Sequence, residues 1–259
     1  VITAEKNQNV SGIQMGYANI DIKTIKEIPL VLGEKDVLKV AQMLPGVQTV
    51  GEGASGFNVR GSSADQNQFY INSIPVYNTS HLFGFFSSFS PDIIKDFNLF
   101  KSNIPVEYGG RIASVFNVST REGNKNHLTA RGGISPITGH VAVEGPLKKE
   151  KHSFVLSARS TYSDWILKLL EDPDLRNSKA SFYDLSAGLS LEPNDRNMVR
   201  IFGYYSSDHF KYADLLRYDY QNLGGSISWK RRITPALNSD ISTVYSQYAF
   251  ETINEEYLS

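Results

Sequence analysis

Two kinds of hydrophobic patterning follow one another along this 259-residue chain, and the change falls near Asn124. Before it, Ile20–Ile28 alternates as a strand does and ends at Pro29, whereas Lys35–Met43 sets Val37, Leu38 and Ala41, followed by Leu44, at helical spacing. Pro45 and Gly46 stop that helix. Short strands are expected at Gly56–Arg60, Gln68–Ile71, Asp96–Phe100 and Ser114–Thr120, with a helical turn at Pro91–Ile94. This mixture describes a small α+β domain.

After Asn124 the period becomes two, giving about seven strands. Tyr183, Leu185, Ala187, Leu189 and Leu191 share one face, and Asp184, Ser186, Gly188 and Ser190 share the other. Leu223, Ile227 and Trp229 oppose Gly224, Ser226, Ser228 and Lys230 in the same way, and Phe154, Leu156 and Ala158 oppose Ser153, Ser157 and Arg159, with Val155 as the misfit. One face suits lipid and the other a polar lumen, the pattern of a transmembrane β-barrel. Connection lengths agree, because short turns at Gly145–His152, Glu192–Asn197 and Arg232–Leu237 alternate with longer connections at Ser160–Ser181 and Ser207–Gln221. Ser135–Gly139 is short where a longer connection is expected, and Trp165–Leu170 reads as a short helix packed on the rim. Barrels that enclose a folded domain use about 22 strands, so the expected fold is an α+β domain followed by antiparallel β-strands of an incomplete outer-membrane β-barrel.

Composition narrows the function classes. A formal net charge of -1 excludes a broad nucleic-acid-binding surface, and the absence of cysteine removes thiol catalysis, cysteine zinc sites and disulfides. Tyr and Phe number 14 each, which suits the aromatic girdles of a barrel. There is no apolar run of roughly 18 residues for a transmembrane helix, a condition that leaves a barrel untouched. No signal peptide stands at Val1, so a fragment or a processed form is expected.

Motif searches do not point to an enzyme. Gly51, Gly53 and Gly56 form G-x-G-x-x-G after a strand at Val47–Val50, but Phe57-Asn58-Val59-Arg60 continues as a strand where a dinucleotide site needs a helix. The histidines at 81, 127, 140, 152 and 209 form no i, i+4 pair and have no acidic partner at ligand spacing. Neither a G-x-S-x-G elbow nor a phosphate loop is present. No catalytic residue, metal or cofactor is expected.

The punctuation between Val37 and Asn124 is more specific. In order it reads LPGV (Leu44–Val47), NVRGSS (Asn58–Ser63), FYINSIPVYN (Phe69–Asn78), SHLFGFFSSF (Ser80–Phe89), EYGGR (Glu107–Arg111) and VFNVSTREG (Val115–Gly123). Together these resemble the plug of TonB-dependent outer-membrane receptors, most closely the Bacteroidetes branch, with its SHLFGFFS string followed by a YGGR turn. The resemblance implies energised uptake of a scarce nutrient through the outer membrane of a Gram-negative bacterium. It divides the chain into a TonB-box-like segment and linker (1–19), a plug (20–124) and the first strands of the barrel (125–259). VITA (Val1–Ala4) resembles a TonB box, captured by periplasmic TonB through β-augmentation, although a frayed terminus would look the same.

By the same resemblance, Asp65, Gln66 and Asn67 in one loop, and Ser80, His81, Leu82 and Phe83 in another, face the external vestibule and contact ligand. Amides, hydroxyls and aromatics suit a polar ligand with apolar faces. The phenylalanines serve equally well as plug core. A plug-to-wall charge cluster carries over to Arg60 and Lys101, with glutamate partners on strands beyond this chain; Arg111 reads as an anchor or a lumen charge, and Gly109 and Gly110 as a tight turn with positive φ. The partners implied are TonB, outer-membrane lipid, an iron-chelate, corrinoid, glycan or peptide ligand, and a surface lipoprotein, with no nucleic acid. A non-transporting outer-membrane barrel and a soluble β-rich binding protein remain as alternatives.

Overall fold

The computed structural model describes residues 16–21, 36–50, 56–213 and 216–254. Strand β1 (Tyr17–Asp21) starts ahead of the expected Ile20–Ile28 strand and overlaps it only at Ile20 and Asp21; residues 22–28 lie outside the described residues. Helix α1 (Val37–Gln42) begins where Asp36 accepts hydrogen bonds from the backbone N–H groups of Leu38 and Lys39 at 2.8 and 3.2 Å. It buries Val37, Leu38, Val40 and Ala41, and Gly46 takes the positive φ of +80° just beyond its end.

The short strands β2 (Val47–Thr49) and β3 (Phe57–Val59) pair with each other. A five-stranded sheet is ordered β1-β8-β9-β4-β5, from β4 (Asn67–Ile71), β5 (Ile74–Val76), β8 (Ile94–Phe100) and β9 (Ser114–Thr120). Its β4–β9 pair is parallel and the others are antiparallel. The expected helical turn before β8 is a hydrogen-bonded turn, Ile93 N–H to Ser90 O at 3.3 Å, and Ile94 already belongs to the strand. Phe116 sits at the centre of a ring cluster with Phe57, Phe69, Phe89 and Phe97, its nearest neighbour being Phe97 at 4.7 Å between centroids. A small hairpin, β6 (Ser80–His81) with β7 (Phe86–Ser87), leaves this core toward the second sheet.

That second sheet has seven antiparallel strands in sequence order: β10 (Thr129–Ile134), β11 (Thr138–Lys148), β12 (His152–Thr161), β13 (Lys179–Asn194), β14 (Asn197–Tyr212), β15 (Leu216–Arg232) and β16 (Asn238–Asn254). It is open, with β10 and β16 at its edges. Its polarity is inverted relative to the plug: Leu185, Leu223 and Ile227 are 51%, 42% and 53% exposed, while Asp184, Asn222 and Ser226 are buried against the plug. Val155 breaks the alternation of β12 because it faces inward and joins the plug core, as does Phe202 of β14.

Two connections depart from the sequence expectation. Ser207–Gln221 is not a long loop, because β14 runs to Tyr212 and β15 starts at Leu216, pairing Phe210 with Tyr218 and His209 with Asp219. Stacked rings (Phe210–Tyr218, 6.3 Å) and charge pairing (Arg217–Asp219, 2.7 Å) stabilise this end of the ladder, which a period-two search for apolar faces does not see. Strands of 16 and 17 residues also exceed the roughly 9–11 needed to cross a bilayer. In the connection 162–178, helix α2 (Asp164–Leu167) is shorter than the expected Trp165–Leu170; Trp165 donates to the carbonyl of Pro136 at 3.1 Å on the rim. A second short helix, α3 (Pro173–Arg176), follows.

Candidate functional site

The connections 149–151, 195–196 and 233–237 lie at one end of the sheet, and 162–178 lies at the other, where β14 ends and β15 begins. The second end carries the long connection 162–178; in outer-membrane barrels long connections are external. There the inward positions of β14, β15 and β16 carry Phe210, Tyr218, Tyr220, Tyr248 and Phe250: Tyr248 pairs with buried Asn222, and Phe250 with Tyr220, two residues along. Tyr220 and Phe250 stack at 4.8 Å. Tyr77, just past β5, rises from the plug to meet Tyr248 at 6.1 Å and is 56% exposed. The result is an aromatic vestibule with one tyrosine on its floor. Such rings offer broad apolar contact at little entropic cost, and the hydroxyls add directional hydrogen bonds.

Directly beneath, the plug is tied to the wall. The β6–β7 hairpin turns through Leu82 (φ +48°) and Gly84 (φ +111°), which directs His81 into the wall. His81 Nδ1 lies 2.7 Å from Asp208 Oδ2, Nε2 lies 3.0 Å from Asp184 Oδ1, and the ring stacks on Phe182 at 4.0 Å. Asp184 also receives Arg159, whose Nη2 is 2.6 Å from Oδ2 and donates to the carbonyl of Ser87 at 2.6 Å. Asp208 further accepts from the Leu82 N–H (3.2 Å) and the Asn78 amide (3.4 Å). Burial opposes a charge on His81, but the two aspartates more than reverse this and raise its pKa to about 9.

A second set of ties joins the plug to the first strands of the wall. Asp92 meets His140 at 2.5 Å and Arg131 at 3.7 Å, and Glu144 meets Arg131 at 2.9 Å and Arg121 at 3.5 Å. Nearer the short turns, Glu122 pairs with Arg200, and Lys125 with Glu192 at 2.6 Å. Between the five-stranded sheet and β13–β16 lies a cavity of about 740 Å³, lined by both signs of charge (Lys95, Arg200 and Lys230; Glu107 and Asp240) and by several hydroxyls.

The residues expected at the site are distributed unevenly. Asp65 is exposed and accepts from Ser63, and Gln66 is half-buried in the 3-10 turn Ala64–Gln66. Asn67 is buried, donating to the carbonyls of Phe57 and Ala64 and accepting from Ser114. Ser80 and Leu82 are half-buried beside the fully buried His81, and the side chain of Phe83 lies outside the described residues, as do Val1, Ile2, Thr3 and Ala4. Arg60 (φ +53°) and Lys101 share one corner, where Lys101 donates to the carbonyl of Pro45 at 2.8 Å; burial and the neighbouring guanidinium lower the Lys101 pKa. Arg111 is exposed, and of the adjacent glycines Gly110 has φ +91°. Among the described residues no carboxylate pairs with Arg60, Lys101 or Arg111. Gly56 leads into strand β3 rather than a helix. Among the described residues no group of three metal-ligating side chains stands where it could hold an ion.

Sequence reasoning overlooked Tyr77, the aromatic ladder and the partners of His81. In the sequence Arg159 and Asp184 are simply polar members of alternating faces. Their signal was a charge on the lumen face of a strand level with a plug, which gains meaning only once the register is known.

Residues 12–132 match the family model for the TonB-dependent Receptor Plug Domain. No curated protein is similar enough to the chain to count as a match. Among solved structures, the fold is similar to the outer membrane transporter YddB from Escherichia coli (TM-score 0.67, 13% identity, 93% of this chain and 40% of that one). It is also similar to the siderophore receptors PirA from Pseudomonas aeruginosa (TM-score 0.66, 16% identity, 93% and 42%) and from Acinetobacter baumannii (TM-score 0.64, 14% identity, 95% and 41%). The chain thus spans about two fifths of the length of these proteins. Residues 12–132 are thus similar to a TonB-dependent receptor plug domain, and the seven antiparallel strands packed against them resemble part of the barrel of such a receptor.

Proposed function

We propose that this chain is part of a TonB-dependent outer-membrane transporter that carries a nutrient ligand into the periplasm without chemically changing it. The observation that carries this reading is the plug-domain match on a domain whose polar rim is ion-paired to a sheet with lipid-suited residues outside and polar residues inside. Ligand settles in the vestibule above the plug, against Tyr77, Tyr220, Tyr248 and Phe250, with Asp65, Gln66, Ser80, Leu82 and Phe83 as further contacts, whereas the buried amide of Asn67 supports the turn behind them. A ligand with planar or apolar faces suits these rings, and ferric chelates, corrinoids, glycans and peptides are the classes to be tried.

The remainder of the reading extends the family resemblance. The segment ahead of β1 acts as tether, shorter than the expected 1–19 because Tyr17–Asn19 pair within the sheet, the residues from Tyr17 to 124 act as plug and 125–259 as the opening strands of the barrel, with Val1–Ala4 taken by TonB and SHLFGFFS and YGGR marking a Bacteroidetes-type receptor. Arg60, Lys101 and Arg111 await carboxylates on later barrel strands. Uptake of ferric chelates, corrinoids, glycans and peptides by cells with and without the full-length gene, in the presence and absence of a proton-motive-force uncoupler, tests the proposal. Loss of one nutrient, reproduced by the uncoupler, is expected; uptake indifferent to both treatments would overturn it. Deleting Val1–Ala4 from the full-length receptor should abolish transport and spare binding.

A further inference from the structure

Both ring nitrogens of His81 face carboxylates, at 2.7 Å from Asp208 and 3.0 Å from Asp184. An ionised carboxylate only accepts hydrogen bonds, and a neutral imidazole has a single N–H, so one of these contacts would set lone pair against lone pair. An imidazolium satisfies both. It also balances the charge: His81 and Arg159 are two cations facing two anions in a space where all four side chains are buried. Without the extra proton, one negative charge would remain uncompensated away from water, which is costly.

The same cluster determines where the vestibule floor lies. Asp208 accepts from His81, from the Leu82 N–H and from the Asn78 amide, while the carbonyl of Asn78 accepts from Asn222 at 3.1 Å. Tyr77 is the next residue along, and it is the plug's contribution to the aromatic rings. We propose that His81 is a positioning residue: as an imidazolium it locks the 77–82 segment onto β13 and β14 and thereby holds Tyr77 on the vestibule floor. The ligand-facing half of this inference rests on the proposed function; the lock itself does not. The ionisable groups around the ring are Asp184, Asp208 and Arg159, with Asp36 acting electrostatically on Arg159 and Tyr220 and Tyr248 lying within electrostatic reach of Asp208. When the proton leaves, the lock loses its Asp208 or its Asp184 bond together with its charge balance.

The test uses the full-length receptor in detergent, without ligand, carrying a spin label at Thr79→Cys. Spectra are followed from about pH 6 to about pH 10, a range that brackets free and buried histidine. The label should be immobile at low pH and become mobile with a midpoint near 9. Asp208→Asn should bring the midpoint down toward the ordinary value of about 6.5, and His81→Gln should abolish the step. A wild-type receptor with no step, or the same step in His81→Gln, overturns the lock. A Tyr77→Ala receptor separates the two halves: an intact step with reduced uptake supports both, whereas an intact step with unchanged uptake overturns the ligand role of Tyr77 and leaves the lock standing.

Discussion

In the plug, Phe57, Phe69, Phe89, Phe97 and Phe116 close on one another away from solvent, whereas in the wall Leu185, Leu223 and Ile227 point outward and Asp184, Asn222 and Ser226 point in. Both regions are built on alternating strands, yet each buries the opposite half of its alternation. The difference is the one that the proposed setting of the two regions requires. A domain in water gains by hiding apolar surface, while a strand in lipid has apolar surroundings on one side and must satisfy its polar groups on the other. Where the two regions meet, contact is therefore largely polar, and Val155 and Phe202 are exceptions through which the plug core extends into the wall.

That contrast can be broken from either side. The largest effect is expected for Phe116→Ala, which removes the ring contacted by four others; plug stability in denaturant titration should fall by about 3–5 kcal/mol. Leu185→Arg places a charge at the middle of the outward face of β13 and should cost about 2–4 kcal/mol when the full-length protein folds into lipid vesicles, an effect that a water-facing leucine would not show.

The polar seam between the regions should respond to pH. The pKa of His81 is raised on folding from 6.5 to about 9, so its contribution is complete below 6.5 and is lost as pH rises toward 9. Melting of the wild-type full-length receptor should decline over that window by the equivalent of about 3 kcal/mol, while His81→Gln stays flat there. The smallest effect belongs to Lys230→Ala: its partner Asp240, at 3.1 Å, is as open to solvent as the lysine, so less than about 1 kcal/mol is expected when the full-length protein folds into lipid vesicles.

The legible parts of this fold were those whose signal is local. Ser114–Thr120 is a strand over the range read from its alternation, and Val37, Leu38 and Ala41 lie on the buried face of α1, because periodicity reports which side of an element meets the core. The polar ends of β14 and β15 were read as a loop because their pairing depends on a neighbouring strand, and the same segment alone has no apolar face to declare itself. His81 was singled out within SHLFGFF, but its two carboxylates lie 103 and 127 residues away along the chain.

By itself the sequence determined the division near Asn124, the inward and outward faces of the later strands, and the motif order that matches a plug, since each depends on residue spacing within a short window. Only the tertiary structure decided that Tyr77 stands among the aromatics of β15 and β16, and that Asp184, Asp208 and Arg159 surround His81. Those arrangements depend on the register between strands and on how deeply the plug sits, quantities fixed by pairing and packing summed over the whole molecule.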